Sequence, residues 1–166
     1  MDVLVVRHGI AMDREKAASR GVLDHDRPLT RKGRTRMREI ARGLHELAPA
    51  LTELISSPLL RAVETAGMVR EAYGELKQGH SAALLPEAEP GELARALGRR
   101  AVTSSVAVVG HEPHLGSFMS WCLTGSARSF FELPKGGACL MRFEDRPAAG
   151  AGRLIWLLPP AVLRSL

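Results

Sequence analysis

The sequence predicts an α/β fold, a sandwich in which short buried strands alternate with amphipathic helices. Two observations predict it. Three apolar runs, Val3–Val6, Leu54–Ser56 and Val106–Val109, each lead into a segment with helical spacing. Toward the C-terminus the chain reads as strand-rich instead, with Ser129–Leu133, Ala138–Phe143 and Leu154–Leu158 as further strands. The length of 166 residues fits one domain spanning 1–166. A chain of that size buries roughly 70% of its unfolded surface and needs no covalent staples.

Taken in order, Val3–Val6 is long enough for a buried strand, and Asp13–Pro28 is polar and turn-rich and reads as a loop. Thr30 suits the N-cap of the next helix, because its hydroxyl can accept from a free backbone N–H. The apolar positions of that helix, Met37, Ile40, Ala41, Leu44 and Leu47/Ala48, follow helical spacing. The strand Leu54–Ser56 stops at Pro58. Leu59–Tyr73 resumes the helical period through Ala62, Ala66, Val69 and Tyr73, with Gly74 placed to end it. Glu92–Arg100 forms a short helix after Pro90-Gly91. Val106–Val109 ends at Gly110-His111, and Pro113–Leu123 is a helix with Pro in its first turn, closing before Gly125. The Gly/Pro/Ala-rich stretch Asp145–Gly152 lets the last two strands form a hairpin.

Composition narrows the function. The two cysteines, Cys122 and Cys139, make no disulfide framework; each falls in an apolar element and reads as a buried thiol. No apolar run approaches the ~20 residues of a membrane span. The first residues lack a basic leader and an adequate apolar stretch, so a cytoplasmic location is expected. The net charge is +5, and one segment accounts for it: Arg27, Arg31, Lys32, Arg34, Arg36, Arg38 and Arg42 stand against Glu39 alone. Arg31, Arg34, Arg38 and Arg42 form a stripe on the helix, which is either a solvated face or a surface for an anionic partner. With 4% aromatic residues there is no stacking platform among these charges, which argues against nucleic acid.

The chemistry gathers where the three apolar strands end. The first ends in Arg7-His8-Gly9, the second in Ser56-Ser57-Pro58 with Arg61 close behind, and the third in Gly110-His111-Glu112-Pro113. Open α/β sheets bind ligands at the carboxyl ends of their strands. If the three strands are parallel neighbours, Arg7, His8, Arg61 and His111 meet in one pocket. Two guanidinium forks suit phosphate oxygens. A neutral imidazole whose second nitrogen is held by an acceptor can attack phosphorus. Zinc is not expected, since His111 and His114 are three apart around a proline rather than four apart on a helix. His114 is expected to face solvent or cap its helix. His25, between Asp24 and Asp26, is expected in a hydrated loop, with His45 and His80 on the surface and Gly136-Gly137 in a turn.

Four ordered blocks carry a resemblance. They are Leu4-Val5-Val6-Arg7-His8-Gly9, Arg27-Pro28-Leu29-Thr30-Arg31-Lys32-Gly33, Ser56 to Ala66, and Val108-Val109-Gly110-His111-Glu112-Pro113. With Leu133-Pro134-Lys135-Gly136-Gly137 and Trp156, they cover essentially the whole chain. In these blocks the sequence resembles the histidine phosphatase (phosphoglycerate mutase-like) superfamily, and within it the small SixA-type phosphohistidine phosphatases. The resemblance implies a three-layer α/β/α sandwich with a mostly parallel sheet. It implies His8 as phosphoryl acceptor, with Arg7, Arg61 and His111 holding the phosphoryl oxygens, and no metal or cofactor. Glu112 would be a possible proton donor; Glu87 and Glu89 are two other carboxylates near enough in sequence to reach the pocket. The implied partner is a protein carrying phosphohistidine. The same machinery could act on small phosphate esters or polyphosphate, and a different class of function would be a non-catalytic module binding acidic or phosphorylated proteins through the Arg31–Arg42 face.

Overall fold

A computed structural model describes residues 1–48, 50–74 and 76–166. Six strands share one sheet: β1 (Asp2–Arg7), β2 (Glu53–Ser56), β3 (Lys77–His80), β4 (Ser105–Gly110), β5 (Ala138–Phe143) and β6 (Gly152–Leu158). Their order across the sheet is β3-β2-β4-β1-β5-β6. The first four in that order run parallel, while β5 is antiparallel to both β1 and β6, so the sheet is mostly parallel, as the fold class required.

Side chains on a strand alternate between faces, and β1 feeds both. Leu4 and Val6 enter a core closed by α2 (Arg31–Leu47), α3 (Leu60–Tyr73) and the short α6 (Pro160–Leu163). Val3 and Val5 enter a second core closed by α4 (Pro90–Leu97) and α5 (His114–Thr124). A strand buried on both faces must be apolar throughout, which is why Val3–Val6 and Val106–Val109 are unbroken runs. The chain after β1 crosses on the α2 face and the chain after β4 on the α5 face. The crossover therefore changes sides between two adjacent strands, opening a crevice at their carboxyl ends.

Capping chemistry sets the helix starts. Thr30 accepts from the Gly33 amide at 2.9 Å, and Pro90 opens α4 where its missing N–H costs nothing. In α2 the buried residues are Gly33, Met37, Ile40, Ala41, Gly43 and Leu44; Leu47, assigned to the apolar face from its spacing, is exposed. Gly33 is required by close approach, since a Cβ there would sit 2.1 Å from the Ile10 carbonyl oxygen. That oxygen is backbone and accepts from Thr30 N at 2.9 Å, so it cannot give way. Gly33→Ala is expected to lower the unfolding free energy by about 1–3 kcal/mol, read as a lower urea midpoint at unchanged slope.

Three elements differ from the sequence expectation. The loop Asp13–Pro28 contains α1 (Arg14–Ala18), capped by the Asp13 carboxylate on the Glu15 and Lys16 amides, and a 3₁₀ turn at Asp24–Asp26. Strand β3 reads Lys-Gln-Gly-His and has no apolar signal, because it is an edge strand bonded only to β2. Ser129–Leu133 is not a strand. The segment is held by side chains instead: the Leu133 amide donates to Glu112 at 2.9 Å and the Leu133 carbonyl accepts from Arg7. Among the described residues no helix is long and apolar enough to cross a membrane.

Candidate active site

The register between β1 and β4 aligns Arg7 with Gly110, and that between β4 and β2 aligns Val109 with Ser56, so the three strand ends leave the sheet side by side. The His8 amide donates to the Gly110 carbonyl at 3.1 Å, a direct rung between the two histidine-bearing strands. Their imidazoles lie with ring centroids 5.0 Å apart and planes tilted by 54°. Arg7, His8, Arg61, His111 and Glu112 all line one cleft of about 670 Å³, as the strand-end argument anticipated. Gly9 lets α2 pass close to the loop that follows β1, since a Cβ there would meet the Met37 side chain at 2.5 Å.

The hydrogen bonds around His8 decide its tautomer. Nδ1 lies 2.7 Å from the Gly9 carbonyl oxygen, which can only accept, so Nδ1 carries the proton and Nε2 keeps its lone pair. The Gly9 amide donates to the Thr65 hydroxyl at 3.0 Å, and Thr65 donates to the Arg61 carbonyl at 2.7 Å, tying the loop to α3.

Arg61 is 2% exposed. Its Nη1 donates to the Asp24 carbonyl at 2.8 Å and its Nη2 lies 3.3 Å from the Asp24 carboxylate. Asp24 also receives Arg27 Nε at 2.9 Å and lies 3.4 Å from Arg14 Nε. Burial works to raise this carboxyl, but the Arg27, Arg61 and Arg14 guanidiniums outweigh it and hold it below the ordinary range. Arg7 Nη1 meets the Leu133 carbonyl and, at 2.8 Å, the Glu132 carboxylate. After these contacts the buried Arg7 Nε, Arg61 Nε and both ring nitrogens of His111 have no partner among the described residues. Unpaired buried polar atoms are costly in an interior, and all four belong to residues that line this cleft.

Burial, reinforced by the Arg61, Arg7 and Lys135 cations, pushes His8 down to about 3 from 6.5 against the pull of the Gly9 carbonyl. Burial, then His8 and Arg61, likewise lowers His111. Between pH 6.5 and about 3 the unfolded chain binds a proton at position 8 that the folded chain refuses, so folding stability falls as pH falls through that window. The expected contribution of His8 is up to about 1.4 kcal/mol per pH unit. His8→Gln should flatten the pH dependence of urea unfolding below about pH 6.5 by that amount.

Glu112 is half-buried, and its two oxygens accept from the Leu133 amide at 2.9 Å and the Gly116 amide at 3.0 Å. Burial raises its proton affinity while these two amides favour the anion. Glu87 and Glu89 are exposed, and of their segment only Pro86 lines the cleft. His114 corrects the sequence reading: it is 2% exposed and lies over Phe118, because the start of α5 packs inward against α4. His25 is exposed beside Asp26, and the exposed His80 bonds the Ser56 hydroxyl at 2.8 Å. Cys122 and Cys139 are buried free thiols, each raised by burial. Sequence reasoning missed Asp24 and Arg27. Arg27 stands in the charged run of the sequence, yet it is buried at the cleft wall and donates to the Met12 carbonyl at 2.5 Å. Its position at the head of the Arg27-Pro28-Leu29-Thr30 block was the available signal.

The α/β sheet thus brings two buried imidazoles and two guanidiniums together at its switch point. Comparison with known proteins gives the family: residues 3–94 match the model of the histidine phosphatase superfamily (branch 1), and the chain belongs to it. An uncharacterized protein of Picosynechococcus sp. strain PCC 7002 is 33% identical over 160 residues, covering 93% of this chain and 88% of the relative. The structure of the protein histidine phosphatase SixA complexed with tungstate superposes with a TM-score of 0.83 at 23% identity, covering 98% of this chain and 99% of that one. A mycobacterial glucosyl-3-phosphoglycerate phosphatase superposes with a TM-score of 0.70 at 15% identity, covering 93% and 96%. Likeness at these identities establishes the fold.

Proposed function

We propose that the chain removes phosphate from phosphohistidine on a protein, through a phosphoryl group held transiently on His8. The observation that carries this reading is the set of orphaned buried donors, Arg7 Nε, Arg61 Nε and the His111 ring, in one cleft with His8, whose Nε2 is free. Nε2 attacks phosphorus as the bond from phosphorus to the substrate imidazole breaks, and the departing nitrogen takes a proton from water at the cleft mouth. The proton on His8 stays on Nδ1, donated to the Gly9 carbonyl. The phosphorylated ring is therefore cationic and leaves readily when water attacks phosphorus, releasing inorganic phosphate and restoring the lone pair. Arg7, Arg61 and His111 hold the equatorial oxygens throughout, where charge is spread in a loose transition state.

Departure as an imidazole explains how the site can work with Glu112 committed to two backbone amides. An alkoxide leaving group makes a stronger demand for a proton donor, and in that second reading Glu112, with its raised proton affinity, supplies it. A comparison of phosphohistidine protein, phosphoserine peptide, polyphosphate and p-nitrophenyl phosphate on one preparation separates the two. We expect kcat/KM for the P–N compound to exceed that for the P–O compounds by about 100-fold or more, equivalent to at least ~2.7 kcal/mol of transition-state stabilisation. Equal or reversed preference would transfer the assignment to ester hydrolysis.

A further inference from the structure

Beside the catalytic cleft lies a second, much smaller one, lined by Gly9, Ile10, Arg36, Lys135, Pro160 and Arg164 with part of the α2 face. We infer that it docks acidic side chains of the polypeptide that presents the phosphoryl group. The inference rests on the phosphoprotein reading above and adds to it how that polypeptide is recognised.

The basic run of α2 divides into two faces. At 100° per residue, Arg31, Arg34, Arg38 and Arg42 share one side of the helix and Arg36 points away from them, across the buried stripe. The first side faces α3, where Arg34 pairs with Glu64 and Arg38 lies 3.9 Å from Glu71, so much of its charge is answered internally. Arg36 turns toward α6 and the turn before β5, where it joins Lys135 and Arg164. Among the described residues none of these three cations pairs with a carboxylate, and no acidic residue lines the cleft. Ile10 and Lys135 also line the catalytic cleft, so the two adjoin.

Lys135 is exposed and Arg36 and Arg164 are half-buried, so glutamate or aspartate side chains of a docked chain can reach them while its phosphoryl group enters beside His8. Such contacts are exposed, so they weaken with salt.

The test has two arms. The first measures, by fluorescence anisotropy at low salt, binding of an unphosphorylated glutamate-rich peptide to the wild type, to Arg36→Gln/Arg164→Gln, and to Arg31→Gln/Arg42→Gln, which removes the same charge from the other face. Expected is a loss of at least about fivefold in affinity for the Arg36/Arg164 variant only. No binding by the wild type, equal losses in both variants, or tighter binding of polyphosphate of the same charge lost in the Arg36/Arg164 variant would overturn the proposal. Thermal unfolding at the wild-type midpoint checks that each variant is folded. In the second arm, two phosphohistidine peptides flanked by glutamates or by glutamines are hydrolysed. The glutamate peptide is expected to show the lower KM at unchanged kcat, a difference erased in the Arg36/Arg164 variant. A preference that survives in that variant overturns the docking site. If the wild type hydrolyses neither peptide, the phosphohistidine reading fails, and the site stands or falls on the first arm alone.

Discussion

His8→Ala is expected to reduce turnover by on the order of 10⁴-fold or more, since a covalent mechanism has no parallel path once its nucleophile is gone. Rapid acid quench with ³²P-labelled substrate should trap an acid-labile phosphoenzyme in the wild type and none in the variant. The substitution should leave the fold intact. The His8 ring bonds only the Gly9 carbonyl, while its backbone carries the contacts to Gly110 and Gly136. Near neutral pH a buried imidazole exchanged for a methyl group opens space without stranding a charge. Equal turnover by wild type and variant would sink the mechanism outright.

Arg61→Lys is expected to lower kcat/KM by about 10²–10³-fold, the range seen when one preorganised donor to a developing oxyanion is removed. The charge survives this change, but the geometry does not. Arg61 uses one end of its fork on Asp24 and leaves Nε buried and unpaired in the cleft. A single ammonium on a flexible stem cannot hold the 3₁₀ turn at Asp24 and face the phosphoryl oxygens together. The loss should therefore divide between KM and kcat, and tungstate, a tetrahedral oxyanion, should raise the thermal midpoint of the variant less than that of the wild type. Retention of full kcat/KM would show that Arg61 serves only to anchor Asp24.

The parts of the fold legible in the sequence are those where one physical rule acts alone. Val3–Val6 and Val106–Val109 are apolar because both faces of their strands are covered, and the spacing of Met37, Ile40, Ala41 and Leu44 reports a helix with one buried side. The meeting of His8 and His111 was legible because it follows from strand direction: two parallel neighbours put their ends together whatever lies between them in the chain. Illegible were the features decided by tertiary partners. Lys77–His80 becomes a strand only because β2 offers it an edge, and Ser129–Leu133, with the exposed Phe130 in its middle, is drawn off the sheet by Glu112 and Arg7, which bond the Leu133 backbone. Arg27 looked like its charged neighbours until Asp24 and the Met12 carbonyl drew it inward. Arg36 belonged to the same charged run, and its place beside Lys135 and Arg164 comes only with the packing of α6 on α2.

The rung from the His8 amide to the Gly110 carbonyl makes the two histidines neighbours through the backbone of the central strands rather than through mobile connections. Deuterium should therefore replace the His8 amide proton only when the whole molecule opens, on the slowest timescale the protein possesses. The rim built by Asp24, held to Arg14, Arg27 and Arg61 by side chains, is expected to open far more often. Access to the centre and integrity of the centre are thus separate freedoms, and mild warming or denaturant should loosen the first well before the second.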